Sequence, residues 1–107
     1  MSESEARAHI DRFNAAVLTG DWAELVATLH PDATMTFVGP PVGPFHGRDA
    51  IASAYAENPP DDTMRPREVT ATGATEVVTF EWTRGGTGTL TITRDAGLIR
   101  SLLIVFD

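Results

Sequence analysis

The chain of 107 residues contains no cysteine, which excludes disulfides, thiolate metal sites and cysteine nucleophiles and leaves the redox compartment open. Lysine is absent as well. All eight basic residues are Arg, a bias that reads as a property of the genome rather than of function. A cationic surplus is also missing: fifteen acidic residues against eight basic ones give a net charge of −7, which repels nucleic acid and anionic lipid. No stretch reaches the roughly 18 successive apolar residues of a membrane span. The opening MSESEARAH is acidic and polar where a signal peptide is basic and then apolar. The expectation is a cytoplasmic protein with no nucleic-acid partner and no membrane association.

What is present is ordinary for a globular protein: 42% hydrophobic residues, 21% charged and two Trp. This length fits a single domain over 1–107, burying roughly two-thirds of its unfolded surface. Ala6, Ile10, Phe13 and Val17 recur at three- and four-residue spacing, and Ser2 with Glu5 has capping-box spacing, so a first helix is predicted. Gly20 is placed to stop it. Asp21 and Glu24 can cap a second helix carrying Trp22, Leu25, Val26 and Leu29, closed by His30 and Pro31. Thr34 to Val38 is β-prone and runs into GPPVGP, which can sustain neither helix nor ladder. A third helix is predicted from Arg48 to Glu57, with Ile51, Ala54 and Tyr55 inward and Pro59 and Pro60 ending it.

From Arg67 onward four β-like runs are separated by turn signals at Gly73, at Gly85 and Gly86, and at Asp95 to Gly97, the spacing of an antiparallel meander. Val78, Phe80 and Trp82 share one strand face. The final run, LIRSLLIVFD, is apolar on both faces and needs cover on both. Helices can cover one side; a second copy of the chain covering the other makes a homodimer through the sheet the expected assembly.

Three segments together resemble the nuclear transport factor 2-like superfamily, which includes ketosteroid isomerases and SnoaL-like polyketide cyclases. They are the aromatic-bearing first helix leading into Gly20 and Asp21, HPDAT from His30 to Thr34, and FHGRDAI from Phe45 to Ile51. The resemblance spans essentially the whole chain. It implies an α+β fold, a cystatin-like roll in which three N-terminal helices pack in a curved antiparallel sheet to form a cone. The open end of such a cone admits a small, largely apolar ligand, and members often dimerise. Many catalyse isomerisation, cyclisation, dehydration or epoxide opening and others only bind, so the fold alone selects no function.

Ketosteroid isomerase uses a carboxylate base with a Tyr and a neutral Asp at the oxyanion. Matching the segments puts Phe13 at the position of that Tyr, Phe37 at the base and Thr89 near the Asp. General-base catalysis is worth about 10²- to 10⁴-fold and an oxyanion donor about 10²- to 10³-fold, so efficient ketosteroid isomerisation is not expected. Tyr55 matches a Tyr that supports the oxyanion network in the isomerases, and it reads either as a ligand contact or as a core aromatic. His46, just before Gly47, could act as a general base near the pocket mouth or be a turn residue. His9 reads as solvent-facing and His30 as part of a helix-ending turn.

Epoxide hydrolases of this fold place carboxylates and an Arg in the pocket. Here Glu76 alone is in phase with Val78, Phe80 and Trp82, at a strand start where a solvated edge residue is expected. Arg48 and Asp49 read as helix-start residues and RGGTG, from Arg84 to Gly88, as a hairpin turn. No metal-ligand spacing is present, and neither metal nor cofactor is expected. The residues left to line a pocket are the aromatics Phe13, Phe37, Tyr55, Phe80, Trp82 and Phe106 with Met35, Leu102 and Ile104, a set suited to flat apolar molecules.

Two functional readings follow. In one, the protein binds a small hydrophobic molecule in an apolar cone, as a divergent cofactor-free isomerase or cyclase acting mainly by shape, with Tyr55 and Trp82 as its only hydrogen-bond donors. In the other, it is a non-catalytic homodimeric or partner-binding module with a filled pocket. A family-like register would point Leu90 and Ile92 outward and Thr89, Thr91 and Thr93 inward; ordinary burial reverses this.

Overall fold

In the computed structural model, which describes residues 2–107, helix α1 (Glu3–Thr19) begins where Ser2 Oγ accepts the Glu5 amide at 3.1 Å. It ends at Gly20, whose φ of 79° is the left-handed stop that a side chain would resist. Asp21 then accepts the Ala23 amide and starts α2 (Ala23–Ala27). This helix is shorter than predicted. Leu29 belongs instead to β1 (Leu29–Val38), whose pairing register shifts between Leu29 and Thr34. Pro31 lies in that irregular stretch, where its missing N–H interrupts no regular ladder. His30, expected in a helix-ending turn, is the second residue of this strand, and its ring nitrogen accepts the Asp32 amide.

The remaining elements are β2 (Phe45–His46), α3 (Arg48–Glu57), β3 (Met64–Thr72), β4 (Thr75–Trp82), β5 (Thr87–Asp95) and β6 (Leu98–Phe106). All six strands form one curved, unclosed sheet in the order β2-β1-β6-β5-β4-β3. β1 runs parallel to β6, and the other pairings are antiparallel. β3 starts three residues before the predicted run.

Leu90 and Ile92 are buried on the helix side of β5, with Thr89, Thr91 and Thr93 half-buried on the opposite face. This corrects the family-like register: the sheet face that packs against helices takes the larger apolar side chains. On the far face, Thr36, Leu103, Thr91 and Val77 stand side by side across four strands.

α1 packs on β3 and β4, α3 packs on β1 and β2, and α2 touches both helices. Asn14 pins α1 to the start of β3, its side chain donating to the Met64 carbonyl and accepting the Met64 amide, both at 2.8 Å. The helices thus cover the two ends of the sheet and leave space over its centre. Among the described residues no helix is long and apolar enough to cross a membrane.

Candidate functional site

That central space is a cavity of about 80 Å³. α1 contributes His9 and Phe13, one turn apart, and α3 contributes Tyr55. The floor is Leu90 of β5 with Leu102, Ile104 and Phe106 of β6, while Phe37, Trp82, Met64 and Pro60 close the sides. Phe37, Tyr55, Pro60 and Phe106 also border a second, outer groove of about 500 Å³. Its other walls include Pro40, Val42 and Phe45 from the proline-rich loop and Ala54 of α3. Val42 is 49% exposed, which is what a residue at an apolar groove rim would show.

The aromatic walls brace one another. Trp22 stacks on Tyr55 at 4.2 Å with an interplanar angle of 3°, and Phe13 meets Trp22 edge-on at 5.7 Å. Trp82 lies 5.3 Å from Phe106, which in turn lies 6.4 Å from Phe37. Such contacts hold ring orientations as well as area.

Polar atoms are few, and they matter for that reason. His9 is only 3% exposed, which corrects the solvent-facing expectation, and its Nδ1 has no hydrogen-bond partner in the protein. Burial, then the Arg94 and Arg12 charges, lower its pKa from 6.5 to about 4, with Glu76 opposing, so the ring is neutral at physiological pH. Trp82 Nε1 is likewise buried without a partner. Burial pushes the Tyr55 phenol well above its usual range, so it stays protonated and cannot serve as a base.

One buried charged pair lies close by. Glu76 is fully buried rather than solvated, and Arg94 donates to it twice, from Nε at 2.6 Å and from a terminal nitrogen at 3.0 Å. Arg94 also lies 3.5 Å from Glu5 on α1, so this group ties the helix to the β4–β5 hairpin. Neither Glu76 nor Arg94 lines the cavity.

Of the side chains expected to line a pocket, Phe13, Phe37, Tyr55, Trp82, Leu102, Ile104 and Phe106 meet in the inner cavity. Met35 lies in the outer groove. Phe80 lines neither; it is fully buried behind the wall, edge-on to Trp82 at 5.0 Å. His46 is exposed on β2 opposite Thr34 and reaches neither space. Thr89 faces away, and its neighbour Leu90 holds the cavity wall.

His9, Pro60, Met64 and Leu90 are lining residues that the sequence reading missed. The signal for His9 was available: it follows Ala6 by three and precedes Phe13 by four on the apolar stripe of α1. Among the described residues no three His, Asp or Glu side chains group as metal ligands would. The imidazole of His9 is neutral and the phenol of Tyr55 protonated, and the surface the cavity presents is almost wholly apolar, so what it offers is shape.

Residues 10–100 match the SnoaL-like domain, and the chain belongs to that family. No curated protein matches the sequence. Among solved structures, a candidate polyketide cyclase of Sinorhizobium meliloti is 22% identical, covering 97% of this chain and 99% of that one, with a TM-score of 0.74. A candidate ketosteroid isomerase of Kribbella flavida is 18% identical over 98% of this chain and 79% of its own, with a TM-score of 0.76. An uncharacterised cystatin-fold protein of Novosphingobium aromaticivorans is also 18% identical, over 97% of each chain, at 0.76. At these identities the likeness establishes a nuclear transport factor 2-like, cystatin-type fold.

Proposed function

We propose that the protein binds a small, largely apolar molecule, its ring system in the inner cavity and any extension along the outer groove. The observation that carries this is an apolar cavity of about 80 Å³ sharing four wall residues with a groove of about 500 Å³. Ligand sites commonly measure about 300–1,000 Å³ with mainly apolar walls and few polar groups. Phe13 and Phe37, which the resemblance matches to an isomerase's donor and base, line the cavity and can supply neither role. Any cofactor-free isomerisation or cyclisation of the bound molecule would therefore rest on confinement in a reactive conformation.

A thermal-shift screen of apolar ketones, polyketide-like aromatics and terpenoids tests this reading. A ligand at 100 times its dissociation constant adds about 2.7 kcal/mol, on the order of 10 °C in Tm for a domain of this size. A screen in which no compound moves Tm would overturn it.

The sheet face away from the helices favours a second, compatible proposal, a homodimer. Leu103 and Val105 are only half-buried there, among Thr36, Thr89 and Thr91, and no charge interrupts that row. Light scattering on a size-exclusion peak should give twice 11.5 kDa at micromolar concentration; a clean monomer mass would sink the dimer and leave ligand binding standing.

A further inference from the structure

We infer that residues 39–44, the proline-rich loop between β1 and β2, are a flap that closes over a ligand in the outer groove, turning at Gly39 and Gly43 and covering the ligand with Val42. The inference rests on the binding reading above and adds a moving part to it.

Among the described residues, 39–44 make no hydrogen bond. The loop leads from the end of β1 into β2, a strand of two residues held by the pairings Thr34–His46 and Met35–Phe45. Segments with few hydrogen bonds and little buried surface open at the least cost. The β4–β5 turn makes the contrast. Gly85 and Gly86 also have positive φ, at 113° and 96°. There, however, the Trp82 amide donates to the Gly86 carbonyl and the Trp82 carbonyl accepts the Gly85 amide, both at 2.9 Å. That turn is pinned, and the proline-rich loop is not.

The loop has the chemistry of a stiff piece between two pivots. The rings of Pro40 and Pro41 fix their own φ, so this pair resists bending. Gly39 and Gly43 on either side have φ of 117° and 73°, a region that glycine enters freely and other residues resist. Each pivot lies against a ring that lines the groove. A Cβ on Gly39 would sit 3.0 Å from Cβ of Phe106, and one on Gly43 would meet the Phe45 ring at 3.3 Å. A ligand that shifts either ring therefore acts on a pivot. Pro40 and Val42 belong to the groove wall, yet Val42 is half-exposed. Burying the rest of that side chain on an apolar ligand drives closure and gives the loop the packing it otherwise lacks.

The test is ¹⁵N relaxation of the unmodified protein, free and saturated with N-phenyl-1-naphthylamine, a neutral apolar fluorophore whose binding is followed by its emission. The amides of Gly39, Val42 and Gly43 should have order parameters below about 0.6 in the free protein and near about 0.85 in the complex, with Gly85 and Gly86 unchanged. Because the chain has no cysteine, Val42→Cys puts a single thiol on the flap, and Val38→Cys puts one at the end of β1, outside the groove. Saturating probe should slow alkylation at position 42 about tenfold, as for a flap closed roughly nine-tenths of the time, and leave position 38 within about twofold.

Probe binding without a rise in the flap order parameters would overturn the inference and leave ligand binding intact, and so would a thiol at position 42 that the probe does not protect. If the probe does not bind, both the binding reading and the inference fall. Relaxation of the unmodified protein decides the matter even if a cysteine variant fails to fold.

Discussion

Two buried polar groupings lie near one face of α1, and the structure treats them in opposite ways. Glu76 and Arg94 are joined by two hydrogen bonds, buried to 0% and 7% side-chain exposure, and border no cavity. His9 and Trp82 border the cavity and keep a nitrogen each without a protein partner. A satisfied pair fixes elements relative to one another, whereas a buried nitrogen without a protein partner gives its side chain no polar anchor and leaves packing to hold it. The contrast is sharper than burial alone would give, since Glu76 and His9 are both buried.

The most damaging change should be to the satisfied pair. Arg94→Met takes away the bidentate partner of a fully buried carboxylate and should cost about 3–5 kcal/mol in urea denaturation, much of it recovered by adding Glu76→Leu. A loss below about 0.5 kcal/mol would erase the distinction between the two groupings.

His9 gives the next effect, through pH. Its pKa of about 4 in the folded chain lies below the 6.5 of the free side chain, so the unfolded state takes up the proton first. Stability is fully present above pH 6.5 and falls between 6.5 and about 4, by about 3 kcal/mol in total. Denaturation midpoints of His9→Leu should fall less steeply across that window than those of the parent; identical slopes would mean that His9 is not the buried neutral group described.

Overpacking compares the two regions directly. Val78 is fully buried in the filled part of the interior, so Val78→Phe should destabilise by about 1–3 kcal/mol. Leu102→Phe grows into the hollow and should stay within about 1 kcal/mol while abolishing probe binding. The smallest effect belongs to the exposed end of the charged group: Glu5, whose side chain is 55% exposed, should tolerate Glu5→Gln at about 0.5 kcal/mol.

Local chemistry made much of this architecture legible in the sequence. Ser2 with Glu5, Gly20, and the limits of α3 at Arg48 and Glu57 behave as capping and proline rules require. What escaped was set by tertiary partners. The apolar spacing of Leu29 suits a helix, yet it pairs with Ile99 seventy residues later in the chain. Glu76 looked solvated because its partner Arg94 sits on another strand, and only the hairpin register brings the two together. His9 reads as solvent-facing because it is polar, although its spacing to Ala6 and Phe13 puts it on the buried stripe. The aromatic inventory was visible; the hollow between the rings was not, because a cavity is a property of packing.

The place of β6 in the sheet bears on how the protein is made. Within the sheet the β2–β1 pair and the β5–β4–β3 meander meet only through β6, which follows the other elements among the described residues. Until that strand leaves the ribosome, two sheet fragments must wait with open edges of the kind that invite aggregation. The same strand brings Leu102, Ile104 and Phe106 to the cavity, so closure of the sheet and creation of the pocket are one event. A ligand present at that moment would favour the closed sheet, acting as a folding template as well as cargo.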